Sequence, residues 1–114
     1  MICKIDFIKS DSGKIVIIKV EKELNTENVF SFEDSLRELL DKKEYRIIID
    51  LSSVRYMCSR GIGAITHSLA QCRKQGGDVK LACINNFVAK LLEVIKLDSV
   101  FDTPKTVEEA VQLF

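Results

Sequence analysis

Apolar and polar residues alternate through CKIDFI (residues 3–8). The turn formers SDSGK follow at 10–14, and KIVIIKV at 14–20 reads as a second, buried strand, so the chain is expected to open with a hairpin. From about Val29 to Leu40 the period changes. Val29, Phe32, Leu36, Leu39 and Leu40 recur at three- and four-residue steps with Glu33, Asp34, Arg37 and Glu38 between them, the pattern of an amphipathic helix ending near Asp41 to Glu44.

YRIIID (45–50) carries three isoleucines in succession, as expected of a strand covered on both faces near the middle of a parallel sheet. A second helix follows, with Ile62, Ile65, Leu69 and Cys72 at helical spacing, and KQGGD supplies the glycines of a helix C-terminus. VKLAC reads as the next strand. Asn85 is placed to cap a third helix with the stripe Val88, Leu91, Leu92 and Ile95, and SVF (99–101) suggests a short further strand before Pro104. Thr106 to Glu109 spells a T-x-x-E capping box that starts a last helix carrying Val107, Ala110, Val111 and Phe114.

The order β, β, α, β, α, β, α, β, α predicts one α/β domain over residues 1–114. Its mixed sheet has four to five strands, and about four helices accompany it. At 114 residues a single core can form without staples. Seventeen basic residues cancel seventeen acidic ones, so nothing in the charge balance calls for nucleic acid or an anionic membrane. The N-terminal stretch is broken by Lys4, Asp6, Lys9, Asp11 and Lys14, which excludes a signal-peptide core and a membrane span and leads us to expect a cytoplasmic protein. Cys3, Cys58, Cys72 and Cys83 lie too far apart for a CxxC pair and have only His67 for company. Reduced thiols and no metal or cofactor are therefore expected.

The chemically distinctive segment is MCSRGIG, residues 57–63. A P-loop would need a lysine and a different glycine spacing, and a dinucleotide fingerprint would need a third glycine where Thr66 stands. Cys58 has no partner histidine nearby and reads as a small residue at a strand-to-helix junction. His67 falls off the apolar stripe and reads as a surface side chain. Ser59 lies where a loop enters a helix, with unpaired amides following, so the position suits a phosphate. On local physics alone the preferred reading is a serine that only caps the helix, with Gly61 and Gly63 permitting close packing.

IIIDLSSVRYMCSRGIGAI (47–65) resembles the STAS domain, specifically the bacterial anti-sigma factor antagonists, in its apolar strand, Asp-Leu, short turn and Asp-Ser-Ser/Ala-Gly-Leu-Gly pattern. LDSVFDTPKTVEEAV resembles the family's usual ending. The resemblance spans nearly the whole chain. It implies a small cytoplasmic switch that is not an enzyme. The unphosphorylated form binds an anti-sigma factor, a serine kinase of the GHKL ATPase type; phosphorylation by that kinase ends the binding, and a metal-dependent serine phosphatase restores it. Carried over by position, Ser59 matches the phosphoacceptor, Gly61 and Gly63 the glycines at the helix start, and Asp50 the aspartate after the central strand.

Two residues depart from the pattern: Cys58 replaces the usual aspartate, and Arg60 replaces a small residue. EKELN at 21–25 keeps only Glu-Leu of a glycine-containing turn. The partner-binding residues implied are Met57, Cys58, Ser59, Arg60, Gly61, Ile62 and Gly63, on a docking face running to about Leu69. Two further readings stay open, a STAS scaffold without phosphorylation in a larger signalling assembly and a thiol enzyme using Cys58.

Overall fold

The computed structural model describes residues 2–11 and 13–114; Met1, and Ser12 of the expected turn, lie outside the described residues. The opening hairpin is β1 (Cys3–Ser10) and β2 (Gly13–Val20), paired antiparallel with Cys3 opposite Val20 and Ser10 opposite Gly13. Helix α1 (Val29–Asp41) crosses to β3 (Arg46–Asp50), and α2 (Ser59–Lys74) crosses to β4 (Asp78–Ala82). The strands lie in the order β1-β2-β3-β4, and the β2–β3 and β3–β4 pairs are parallel. Helices α3 (Asn86–Val94) and α4 (Val107–Gln112) complete the fold. The fold class is the expected one, a single α/β domain with a mixed four-stranded sheet and four helices.

The isoleucine block of β3 is covered on both faces. Ile47 and Ile49 join Phe32 and Leu36 of α1, Ile65 and Leu69 of α2, and Val88 and Leu92 of α3 in the main core. Ile48 points the other way, toward Ile15, Ala82 and Ala110 of α4. Period-two alternation within an all-apolar run thus feeds two cores.

The fifth strand expected at 99–101 does not form. Those residues are turn and bend, and the chain meets β4 just beyond them, where the Leu81 N–H donates to the Asp102 carbonyl at 3.0 Å and the Cys83 N–H to the Pro104 carbonyl at 3.1 Å. Proline has no N–H to return, so a ladder cannot propagate there. The caps at Asn85 and Thr106 are as expected: the Asn85 side chain accepts the Val88 N–H at 3.0 Å and the Thr106 hydroxyl accepts the Glu109 N–H at 3.0 Å. The Glu109 carboxylate closes the second half of the box one residue early, on the Lys105 N–H at 2.9 Å. Among the described residues no helix is long and apolar enough to cross a membrane.

Candidate functional site

The segment between β3 and α2 is fixed before it reaches Ser59. At the end of β3 the Asp50 carboxylate accepts the Ser52 N–H at 2.9 Å, and the Leu51 N–H donates to the Ala82 carbonyl at 3.0 Å. Val54 gives its carbonyl to the Asn85 side-chain amide at 2.7 Å, so the residue that caps α3 also holds this loop. The Glu23 carboxylate accepts the N–H groups of Arg55, at 2.6 Å, and Tyr56. Leu24 and Met57 form an isolated parallel bridge, with the Leu24 N–H on the Tyr56 carbonyl at 3.1 Å and the Cys58 N–H on the Leu24 carbonyl at 2.9 Å. These contacts leave the loop's backbone polar groups little freedom, and α2 therefore starts from a rigid base.

Cys58, not Ser59, occupies the N-cap of α2: its backbone is extended (φ −73°, ψ 163°) and its side chain makes no capping hydrogen bond. Ser59 is the first helical residue and is exposed. The reading of Ser59 as a cap is thus displaced by one residue. The Gly61 N–H donates to the Cys58 carbonyl at 3.0 Å, and because a thiol is a weak acceptor, the amides of Ser59 and Arg60 before it are not claimed by the cap side chain.

The seven residues expected to form the binding segment divide into two layers. Met57, Cys58 and Gly61 are buried, whereas Ser59, Arg60 and Gly63 are exposed and Ile62 is half-buried. A Cβ on Gly61 would come within 2.9 Å of the Met57 Cγ, while one on Gly63 would meet nothing within 4 Å. Gly61 therefore serves packing, and Gly63 leaves open surface.

Ser59 lies beside a shallow hollow of about 130 Å³ lined by Met57, Ile62, Leu91 and Ile95. Ile95, which lines it, is exposed, and so are Tyr56, the neighbour of Met57 in the chain, and Phe87 of α3, whose rings lie 5.9 Å apart. Arg60 is engaged elsewhere. Its Nε donates to the Glu33 carboxylate at 2.7 Å, and its guanidinium lies 4.6 Å from the centre of the Phe30 ring, both on α1. Arg60, which departs from the family pattern, is thus already held by a neighbouring helix.

Burial works against thiolate formation at Cys3, Cys72 and Cys83. All four cysteines are free, and among the described residues no group of three or more His, Cys, Asp or Glu side chains could hold a metal ion. Burial pushes the Cys72 thiol up to about 11, with the Asp78 charge adding to it, and burial likewise raises Cys3 and Cys83. His67 is exposed on a separate groove between α1 and α2.

Sequence reasoning missed Glu23, Leu24, Tyr56 and Phe87 as builders of this site. Only the retained Glu-Leu of EKELN signalled the first two. The aromatic pair joins two elements 31 positions apart and had no local signature.

Residues 7–110 match the STAS domain family model. A Thermotoga neapolitana protein named as an anti-sigma factor antagonist, the TM1081 homologue, is 31% identical over 99 residues, covering 86% of this chain and 88% of that protein. The crystal structure of the Thermotoga maritima protein TM1081, assigned the same role, superposes with a TM-score of 0.83 at 29% identity, over 95% of this chain and 92% of that one. The anti-sigma factor antagonist SpoIIAA in its unphosphorylated form shares the fold at a TM-score of 0.80 and 18% identity, over 96% and 92% of the two chains. With its family match, element order and strand-to-helix segment in agreement, the chain belongs to the STAS domain family, among the anti-sigma factor antagonists.

Proposed function

We propose that this protein is a cytoplasmic anti-sigma factor antagonist, a binding switch without catalytic activity of its own. It binds an anti-sigma factor that is a serine kinase of the GHKL type, and phosphorylation of Ser59 switches the binding off. The observation that carries the reading is the exposed Ser59 beside an apolar hollow on a rigid base. A partner covering Tyr56, Phe87 and Ile95 would bury Ser59 with them. Phosphorylation adds roughly −1.5 to −2 charge there, and desolvating such a charge costs several kcal/mol, so affinity falls by orders of magnitude without refolding. The first-turn amides of α2 favour the phosphate in the free protein, which widens the gap between free and bound states.

The docking face includes the N-terminal half of α2 and the exposed side of α3, with Met57, Cys58 and Gly61 supporting it from beneath. A metal-dependent serine phosphatase resets the switch. The names borne by the Thermotoga proteins support the anti-sigma factor as partner class.

A second reading keeps the partner surface and drops the modification. The engagement of Arg60 by Glu33, together with a thiol where an acidic cap is usual, favours a scaffold that binds constitutively. The two readings separate on intact-mass analysis of wild type and Ser59→Ala after incubation with Mg-ATP and a GHKL kinase from the same organism, paired with capture of that kinase by wild type and Ser59→Asp. One added phosphate on wild type alone, with loss of capture by Ser59→Asp, supports the switch. Unmodified wild type and undiminished capture by Ser59→Asp, while a known substrate is phosphorylated alongside, support the scaffold.

A further inference from the structure

The two edges of the sheet are treated differently. Residues 102–104 cover β4 through two backbone hydrogen bonds, whereas among the described residues no segment covers the outer edge of β1. β1 is eight residues long, contains neither proline nor glycine, and exposes Ile5, Phe7 and Ile8 at 37%, 56% and 36%. A long, open, partly apolar edge is a template for another strand.

The hydrogen-bond phase of β1 is known. The Glu21 N–H donates to the Ile2 carbonyl at 2.7 Å and Cys3 lies opposite Val20, so even-numbered residues turn their backbone groups toward β2. Cys3, Ile5, Phe7 and Lys9 turn theirs toward the open edge. A second copy added antiparallel across a two-fold axis must then match odd residues with odd and even with even.

Charge selects among these registers. Centring the axis on Lys4 or on Asp6 sets like charges directly opposite one another. Centring it on Phe7 faces Lys4 with Ser10 and Asp6 with Ile8, so neither charge finds its complement. Centring it on Ile5 sets Lys4 against Asp6 of the second copy twice, Ile5 against itself, and Cys3 against Phe7. Lys4 and Asp6 share one face of the strand and would meet as non-hydrogen-bonded pairs, where opposing side chains are closest. Among the described residues neither makes an ion pair, and Lys4 faces Lys19 across the hairpin.

We propose that β1 is a homodimer interface in which two copies pair antiparallel about Ile5, joining their sheets into one of eight strands. The register is held by reciprocal Lys4–Asp6 contacts. The interface lies on a different element from Ser59, so pairing is independent of the phosphoswitch.

The test is sedimentation equilibrium of the full chain across the micromolar range, with circular dichroism to verify the fold of each variant. Wild type is expected to dimerise. Lys4→Asp and Asp6→Lys, both at exposed positions, each turn attractive pairs into repulsive ones and should weaken dimerisation roughly tenfold or more. The double variant Lys4→Asp/Asp6→Lys should restore it, and Ser59→Asp should leave it unchanged. Ile5→Cys should cross-link on oxidation, since the two Cα atoms would lie about 5.5 Å apart. A wild type that stays monomeric throughout, a dimer indifferent to the single reversals, or a double variant that remains as weak as the singles would each overturn the proposal.

Discussion

The Glu23 carboxylate, on the segment between β2 and α1, accepts the backbone N–H of Arg55, 32 residues later, at 2.6 Å, and the same oxygen accepts the N–H of Tyr56. One side chain thus satisfies two successive amides of the loop that delivers Ser59. Glu23→Ala should cost about 1–3 kcal/mol, toward the lower end because the group is only half-buried. Urea denaturation would measure that loss, and hydrogen exchange should show protection falling at residues 55–58 before the sheet is affected. Unchanged exchange in the loop would remove Glu23 from the site's support.

Cys58 occupies the N-cap of α2 without a capping bond. An aspartate there would accept an N–H from the first turn and place a negative charge at the positive end of the helix. Cys58→Asp should therefore stabilise the protein by about 1 kcal/mol. The gain should be largest at low salt and should diminish as the pH falls through the carboxylate range. Thermal melts at two ionic strengths would check both the sign and the electrostatic share.

How much of this architecture was legible depended on how local its cause was. The isoleucine block of β3, the stripe of α1 and the caps at Asn85 and Thr106 are written in neighbouring residues, and each formed where the pattern placed it. The fifth strand failed because SVF has the residue types of a strand but is followed by a proline that cannot continue a ladder. Long-range pairings were hidden. Glu33 on α1 claims Arg60, and Asn85 holds Val54 while capping α3, so partners separated by a whole element determine which groups around Ser59 are available. The segment 57–63 was visible as a unit, but its division into a buried and an exposed layer required the fold.

Alkaline pH should destabilise the protein. The Cys72 thiol is pushed up to about 11, mainly by burial and further by Asp78, so between the ordinary thiol range near 8.5 and 11 the folded state holds a proton that the unfolded state has released. Its stabilising contribution is complete below that window and is lost across it. Lys80 acts in the same direction. Burial alone would lower its pKa, but hydrogen bonds and charge from Asp102 and Asp78 outweigh this and raise it, so its contribution is lost as the pH climbs through the folded value. Urea midpoints should fall steadily from pH 8 to 11, and Cys72→Val should flatten the lower part of that decline. A midpoint independent of pH over this window would contradict both assignments.

Three helices end on the same backbone motif with different residues at its left-handed position. After α2, Gly76 has φ +80°, its N–H donates to the Arg73 carbonyl at 3.2 Å, and the Gly77 N–H donates to the Cys72 carbonyl at 2.8 Å. Lys43 after α1 and Lys96 after α3 adopt φ near 63° in equivalent bonding patterns. A lysine there carries a steric cost that glycine avoids, set against the greater freedom of glycine in the unfolded chain. Lys96→Gly, at an exposed site, should thus raise stability by up to about 1 kcal/mol. Gly77→Ala should do the reverse and severely, because its Cβ would fall 1.8 Å from the carbonyl oxygen of Tyr45, the residue just before β3, a backbone atom that cannot step aside. Strand β4 would have to shift away from β3, and the variant should lose several kcal/mol or fail to fold. Paired thermal melts of the two variants separate the causes: a conformational preference predicts the first change, and a collision between two strands the second.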